Sequence, residues 1–190
     1  MSKSVNVGEK IKNLRESKNI TREELSERSG LNLDQIILIE ENTNLPSLAP
    51  LIKIARVMGV RLGTFLDDND ELGPVVTRKT DKTESISFSN NASELRKHMD
   101  YYSLSKTKSG RHMEPFIIDI IASEAEFTLS SHEGEEFIYV LEGTIEINYG
   151  KDTYWLEPGD SIYYDSIVAH HVHAYNNATA KILAVVYTPI

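Results

Sequence analysis

Histidine and glutamate crowd two short stretches of the C-terminal half, His132-Glu133-Gly134-Glu135-Glu136 and Ala169-His170-His171-Val172-His173. Along an extended strand, residues 130, 132 and 136 have the same parity and share a face. An imidazole and a carboxylate from that face, joined by an imidazole from the second stretch, make a two-histidine, one-carboxylate set. Such a set suits Fe(II), Mn, Ni or Zn. Burying these groups without a metal costs on the order of several kcal/mol unless they hydrogen-bond one another. Within the second stretch, His171 and His173 have the opposite parity to His170 and are alternatives or supplements to it. Ser130 and His173 are expected to line a ligand pocket. The chain has no cysteine, which excludes thiolate catalysis and thiolate metal sites. No phosphate loop or nucleophile elbow is present, and Ser130 near His132 does not amount to an acyl-transfer site.

The elements that must carry this set are strands. Runs at Phe116–Ile121, Phe137–Leu141, Thr144–Tyr149, Thr153–Leu156, Ser161–Tyr164 and Lys181–Tyr187 are rich in β-branched and aromatic residues. Turn sequences separate them: Glu142-Gly143, Tyr149-Gly150-Lys151-Asp152, Glu157-Pro158-Gly159-Asp160 and Asn176-Asn177. Pro158-Gly159 fits the central pair of a type II turn. This spacing predicts an antiparallel sandwich or barrel. Tyr139, Trp155, Tyr163 and Tyr164 are expected mainly in its core or an interface, and Ala92–Met99 reads as a helix before it.

The N-terminal third has a different period. Thr21-Arg22-Glu23-Glu24 is a capping box, Gly30 supplies a turn, and Asn32 with Gln35 caps the next helix. Ile36 and Ile39 form that helix's inner stripe, while Leu33 and Ile37 share an outer face. Ser47 opens a helix carrying Leu51, Ile54, Ala55 and Met58, and a short fifth helix falls near Leu62–Leu66. The run Asp67-Asp68-Asn69-Asp70-Glu71-Leu72-Gly73-Pro74 is a solvated connector. The expected division is residues 1–68, a linker at 69–74, and 75–190 with its core motifs in 110–190.

Residues 7–66 resemble the phage-repressor (xenobiotic-response-element) helix-turn-helix family, through the stretch Thr21–Asn32, then Ile36, Ile39-Glu40, Pro46-Ser47 and Leu51–Ala55. The resemblance implies a dimer that binds a double-stranded DNA operator with its second motif helix in the major groove. By position, Leu33, Asp34 and Leu38 would face bases, and Arg22, Asn32 and Gln35 would lie near the backbone. The sequence departs from the family after Glu40, where Glu41-Asn42 replaces the common Arg-Gly. The helix from Leu33 to Glu41 has no Lys or Arg but includes Asp34, Glu40 and Glu41. Positive charge comes instead from Lys10, Lys12, Arg15, Lys18, Arg22 and Arg28.

Residues 110–190 resemble the cupin family of small double-stranded β-helix (jelly-roll) barrels, through His132, Glu136, Gly143, Pro158-Gly159-Asp160 and His170. Carried over by position, the metal ligands are His132, Glu136 and His170. The family's further histidine is Ser130 here, so a bound metal would keep an open coordination position. The whole chain is thus expected to be a two-domain α plus all-β protein, a five-helix helix-turn-helix domain followed by a cupin.

Charge placement agrees with that division. The net charge is -9, yet residues 1–68 hold 10 basic and 10 acidic side chains, while 69–190 hold 10 and 19. A neutral N-terminal part leaves a nucleic-acid partner open, where uniform acidity would argue against one. The longest hydrophobic run, Ile182–Tyr187, is six residues, far below a membrane span. Met1–Asn6 lacks the apolar core of a secretory signal, so a cytoplasmic protein is expected. The leading functional expectation is a DNA-binding regulator whose barrel senses a small-molecule effector, with or without one divalent metal. Alternatives are an Fe(II) oxygenase-like enzyme that does not use its helix-turn-helix for DNA, and a dimer that grips another protein through Leu33, Ile37 and Leu38.

Overall fold

The computed structural model describes residues 7–41, 47–66, 74–79, 86–88, 99–108, 111–121 and 127–189. Among these residues five helices come first: α1 (Val7–Ser17), α2 (Arg22–Ser29), α3 (Leu33–Glu40), α4 (Leu48–Met58) and α5 (Gly63–Leu66). Both expected capping boxes form. Thr21 Oγ1 accepts the Glu24 N–H while the Glu24 carboxylate accepts the Thr21 N–H, and Asn32 with Gln35 repeats the pattern on α3. Each box satisfies donors that a helix start leaves open, which lets helices of only eight residues begin at defined positions. Gly30 caps the end of α2, and Ser47 stands before α4 without a side-chain capping bond. Ile11, Leu25, Ile36, Ile39, Leu51, Ile54 and Phe65 form the core that fixes the angle between α2 and α3.

Among the described residues nine strands follow: β1 (Ile86–Phe88), β2 (Met99–Ser103), β3 (Met113–Ile120), β4 (Glu135–Glu142), β5 (Ile145–Tyr149), β6 (Asp152–Leu156), β7 (Ser161–Asp165), β8 (His170–Ala174) and β9 (Ala180–Tyr187). They make a six-stranded sheet in the order β1-β2-β3-β9-β4-β7 and a three-stranded sheet in the order β6-β5-β8, antiparallel throughout. Alternate residues of β3 and β9 are buried, so Phe116, Ile118, Ile120, Ile182, Ala184 and Val186 face the interior. Ile145 and Ile147 meet them from the second sheet. At the β6–β7 corner, the Asp160 N–H donates to the Glu157 carbonyl and Gly159 takes φ +100, the conformation a type II turn demands of its third residue.

Several expectations need correction. Met99 opens strand β2 and does not end a helix, and Ala92–His98 lie outside the described residues. Strands β1, β2 and β8 were not among the expected runs. Only Tyr164 of the four aromatics is core; Tyr139, Trp155 and Tyr163 are 38%, 58% and 64% exposed. The connector expected at 69–74 lies outside the described residues except for Pro74. Beyond it, Thr77 already bonds the Leu104 carbonyl at 3.1 Å, so residues near 77 belong with the barrel. The two parts meet through Arg56 of α4, ion-paired to Glu133 at 2.5 Å, and Arg61, which donates to the Arg111 carbonyl at 2.9 Å. Among the described residues, no helix is long and apolar enough to cross a membrane.

Candidate functional site

Glu136 stands on β4 with its side chain turned into the barrel, directly opposite Tyr164 on β7. His170 opens β8 on the other sheet. His132 precedes β4, and the chain between it and Glu136 bends at Gly134, with φ +114. A Cβ there would meet the Tyr187 carbonyl oxygen at 2.0 Å, so only glycine lets the backbone pass this close to β9. The His132 N–H donates to the Ser166 carbonyl at 3.0 Å, and the Ser166 N–H to the Gly134 carbonyl at 2.9 Å, which pins the bend.

These elements bring His132, Glu136 and His170 together, with ligand atoms all within 4.8 Å of one another. His132 Nε2 lies 2.8 Å and His170 Nε2 3.4 Å from Glu136 Oε1. The outer ring nitrogens face backbone carbonyls: His132 Nδ1 the Glu133 oxygen at 3.0 Å, and His170 Nδ1 the Val168 oxygen at 2.8 Å. A carbonyl only accepts, so both Nδ1 atoms carry hydrogen, and each Nε2 directs its remaining valence toward one carboxylate. Two bare lone pairs facing a carboxylate repel it. The centre therefore calls for a cation on the inner side, either protons on the imidazoles or a divalent metal shared by all three groups. The donor set of two nitrogens and one carboxylate fits such a metal.

The surroundings favour a charged carboxylate. Burial works against the charge on Glu136, but hydrogen bonds from His132 and His170 outweigh it and hold the carboxyl well below the usual range. Burial lowers His170, and the Glu136 carboxylate more than restores it, leaving a net rise. Tyr164 donates to Glu136 Oε2 at 2.8 Å, and burial beside that charge keeps its phenol protonated. Ser166 adds a bond to Oε1 at 3.3 Å. Neither Tyr164 nor Ser166 was among the sequence-derived site residues, although Tyr164 pairs with Glu136 across β4 and β7 and that register could have revealed it.

His171 and His173 do not join the triad. They lie on the opposite side of β8, with Phe127 stacked on both at 4.4 and 5.2 Å between ring centres. His173 Nε2 is 3.7 Å from Glu146, which also accepts from the Trp155 indole. Ser130 is half-buried, and its backbone is bonded in both directions to His170. Ser130, His173 and the triad all border one cavity of about 880 Å³, whose far wall includes Gly30, Leu31, Gln35, Ser47 to Pro50, and Lys53 of the helical domain.

On the helical side, Asn32 and Asp34 are exposed, while Leu33, Gln35 and Leu38 are half-buried. The Asn32 and Gln35 side-chain oxygens are used in the capping box, which leaves their amide NH2 groups to bond outward. The acidity assigned to α3 needs correction at Glu40. That carboxylate is buried and held by Arg15 at 2.5 and 3.1 Å and by Arg22 at 2.7 Å. Arg15 is consequently an interior partner and not a surface charge. Asp34 and Glu41 remain exposed.

Residues 11–65 match the helix-turn-helix family and residues 116–186 the cupin domain family. The chain is a helix-turn-helix protein carrying a cupin domain. An uncharacterised HTH-type transcriptional regulator from Archaeoglobus fulgidus is 38% identical over 64 residues, 33% of this chain and 90% of that protein. The (S)-2-hydroxypropylphosphonic acid epoxidase of Streptomyces wedmorensis is 29% identical over 153 residues, 73% of each chain. An Fe(II) form of HppE has the same fold at 24% identity and a TM-score of 0.51, covering 98% of this helix-turn-helix–cupin chain and 100% of that one. An HTH_3 family transcriptional regulator from Vibrio cholerae superposes with a TM-score of 0.68 at 20% identity over 98% and 97% of the chains.

Proposed function

We propose that this helix-turn-helix–cupin protein is a cytoplasmic, DNA-binding transcriptional regulator whose barrel senses a small-molecule effector. The observation that carries the reading is the shared cavity. The helix-turn-helix turn and the start of α4 form one wall of the space that the barrel site borders. An occupant there contacts both domains, so it can bind two domain arrangements with different free energies, the condition for regulation. A reading helix of eight residues spans only a half-site, which supports action as a homodimer on a two-fold operator. Leu33, Asp34 and Leu38 would face base edges, with Arg22, Asn32 and Gln35 toward the backbone.

His132, Glu136 and His170 would hold one divalent metal, Fe, Mn, Ni or Zn. When bound, that ion would supply Lewis acidity and a coordination position for a ligand head group. Tyr164 and Ser166 orient the carboxylate, and the Glu133 and Val168 carbonyls fix which ring nitrogens face inward.

A second reading, a metal-dependent oxygenase-like enzyme, is favoured by one observation: the epoxidase relative covers 73% of the chain and thus extends beyond either domain alone. Gel retention on the DNA upstream of the protein's own gene at low salt separates the two. The regulator retains that DNA, and retention weakens as salt rises. No retention at low salt, together with oxygen consumption by the Fe(II)-loaded protein, would replace the regulator with the enzyme.

A further inference from the structure

The cavity between the domains has a chemical bias that the triad does not explain. Its floor is apolar, with Ile118, Ile138 and Ile182. Among the described residues, Lys53 of α4 is the only lysine or arginine on its wall. That side chain is half-buried, and among the described residues no ion pair or hydrogen bond engages its ammonium. The acids nearby are already committed: Glu136 to the imidazoles and Tyr164, Glu146 to Trp155 and Asn148, and Glu133 to Arg56. A smaller cavity of about 180 Å³ is lined by both Lys53 and His132, so the lysine's helix and a triad histidine are neighbours.

We propose that Lys53 is the anion-binding residue of this cavity and that its ligand is a small organic anion with a compact apolar body. The inference rests on the metal-holding, effector-sensing reading above and names its ligand class. A divalent ion with one carboxylate keeps a net positive charge, and the ammonium adds another. Against the carboxylates of Glu136 and Glu146, which also line the cavity, a bound divalent ion and Lys53 would leave a net positive charge, and the apolar floor selects an alkyl or aryl body over a bare inorganic ion. The anion's charged head meets Lys53 while its body covers Ile118, Ile138 and Ile182. Because Lys53 belongs to α4, the bound anion ties the helical domain to the barrel.

Calorimetric titration of the metal-loaded full chain with propylphosphonate, with 1-butanol as the neutral counterpart, tests this. Wild-type protein binds the anion and not the alcohol. Lys53→Met, which keeps length and removes charge, weakens the anion about tenfold or more, and Lys53→Arg recovers most of the loss. Metal content and thermal unfolding of each variant verify that the fold and the triad are intact. Equal binding by Lys53→Met, or no preference of the wild type for the anion over the alcohol, overturns the proposal. Lys53-dependent binding in protein that retains no operator DNA supports it while removing the regulator reading, so the two fail separately.

Discussion

Each domain holds a carboxylate between two basic side chains, and the two clusters behave differently. Glu40 lies between Arg15 and Arg22, and Glu136 between His132 and His170. Guanidinium groups are always charged and have no lone pair to offer, so the first cluster is complete as it stands. Imidazoles held with hydrogen on Nδ1 are charged only when Nε2 also gains a proton, and otherwise present a metal-binding lone pair. The same count of groups gives a structural knot in one domain and a centre that requires a cation in the other. Burial is therefore a poor guide to function by itself; whether the partners can lose their charge is the better one.

The largest effect is expected at the knot. Glu40→Ala leaves Arg15 buried without its counter-charge and costs about 3–5 kcal/mol, read by urea unfolding followed through helical circular dichroism. A cost below about 1 kcal/mol would remove the distinction between the clusters, since exposed pairs already reach that value. The pH response has a definite sign. Burial disfavours the Glu40 charge, but Arg15 and Arg22 more than offset it and depress its folded pKa. Its contribution is present above the unfolded value of about 4.3 and is lost as pH falls through the lower folded one. The helical transition should thus weaken in acid, and an acid-insensitive transition would contradict the ion-pair account.

The barrel should answer to metal. Mn(II) or Co(II) at about 100 times its Kd stabilises the barrel by about 2.7 kcal/mol, in a transition separate from the helical one, and Glu136→Gln abolishes the shift. An unchanged shift in Glu136→Gln would place the ion elsewhere. Gly134→Ala comes next, with a cost of at least about 1–3 kcal/mol from its positive φ, to which the clash of the new Cβ with the Tyr187 carbonyl adds, and a loss of metal affinity, because the bend sets His132 relative to Glu136. Titration of the purified variant with Co(II), followed by its visible absorption, checks this. Arg56→Ala should do least, about 0.2–1 kcal/mol, since both partners of its pair with Glu133 are near half exposed; differential scanning calorimetry resolves that change.

What was legible in the sequence was local or periodic. The capping boxes span three residues, and the His132–Glu136 spacing follows strand parity with one bend. The helices and most of the strands could be read from such spacings, whereas the choice of His170 over His171 and His173 came from the resemblance to the cupin family. The Glu40 pairing could not, because Arg15 lies 25 residues away and only the packing of α1 on α3 joins them. For the same reason α3 looked more acidic than it is. Tyr139, Trp155 and Tyr163 have the composition of core residues, but their parity turns them outward, and parity is known only after register is fixed. The role of Lys53 depends on how two domains dock, which no short-range pattern encodes.

The place of β9 has a kinetic consequence. Strands β3 and β4 are consecutive in sequence yet do not pair; β9 lies between them, matching Ile118 with Ile182 on one side and Glu136 with Val186 on the other. Such pairings join distant parts of the chain, and loop closure makes them slow. The helices, which pack within one short stretch of chain and include two with capped starts, can assemble first. The bend at Gly134 that sets His132 beside Glu136 packs against Tyr187 of β9, so the site is complete only when β9 has inserted, and a metal ion added to refolding protein should bind in the slowest phase and not in the early ones.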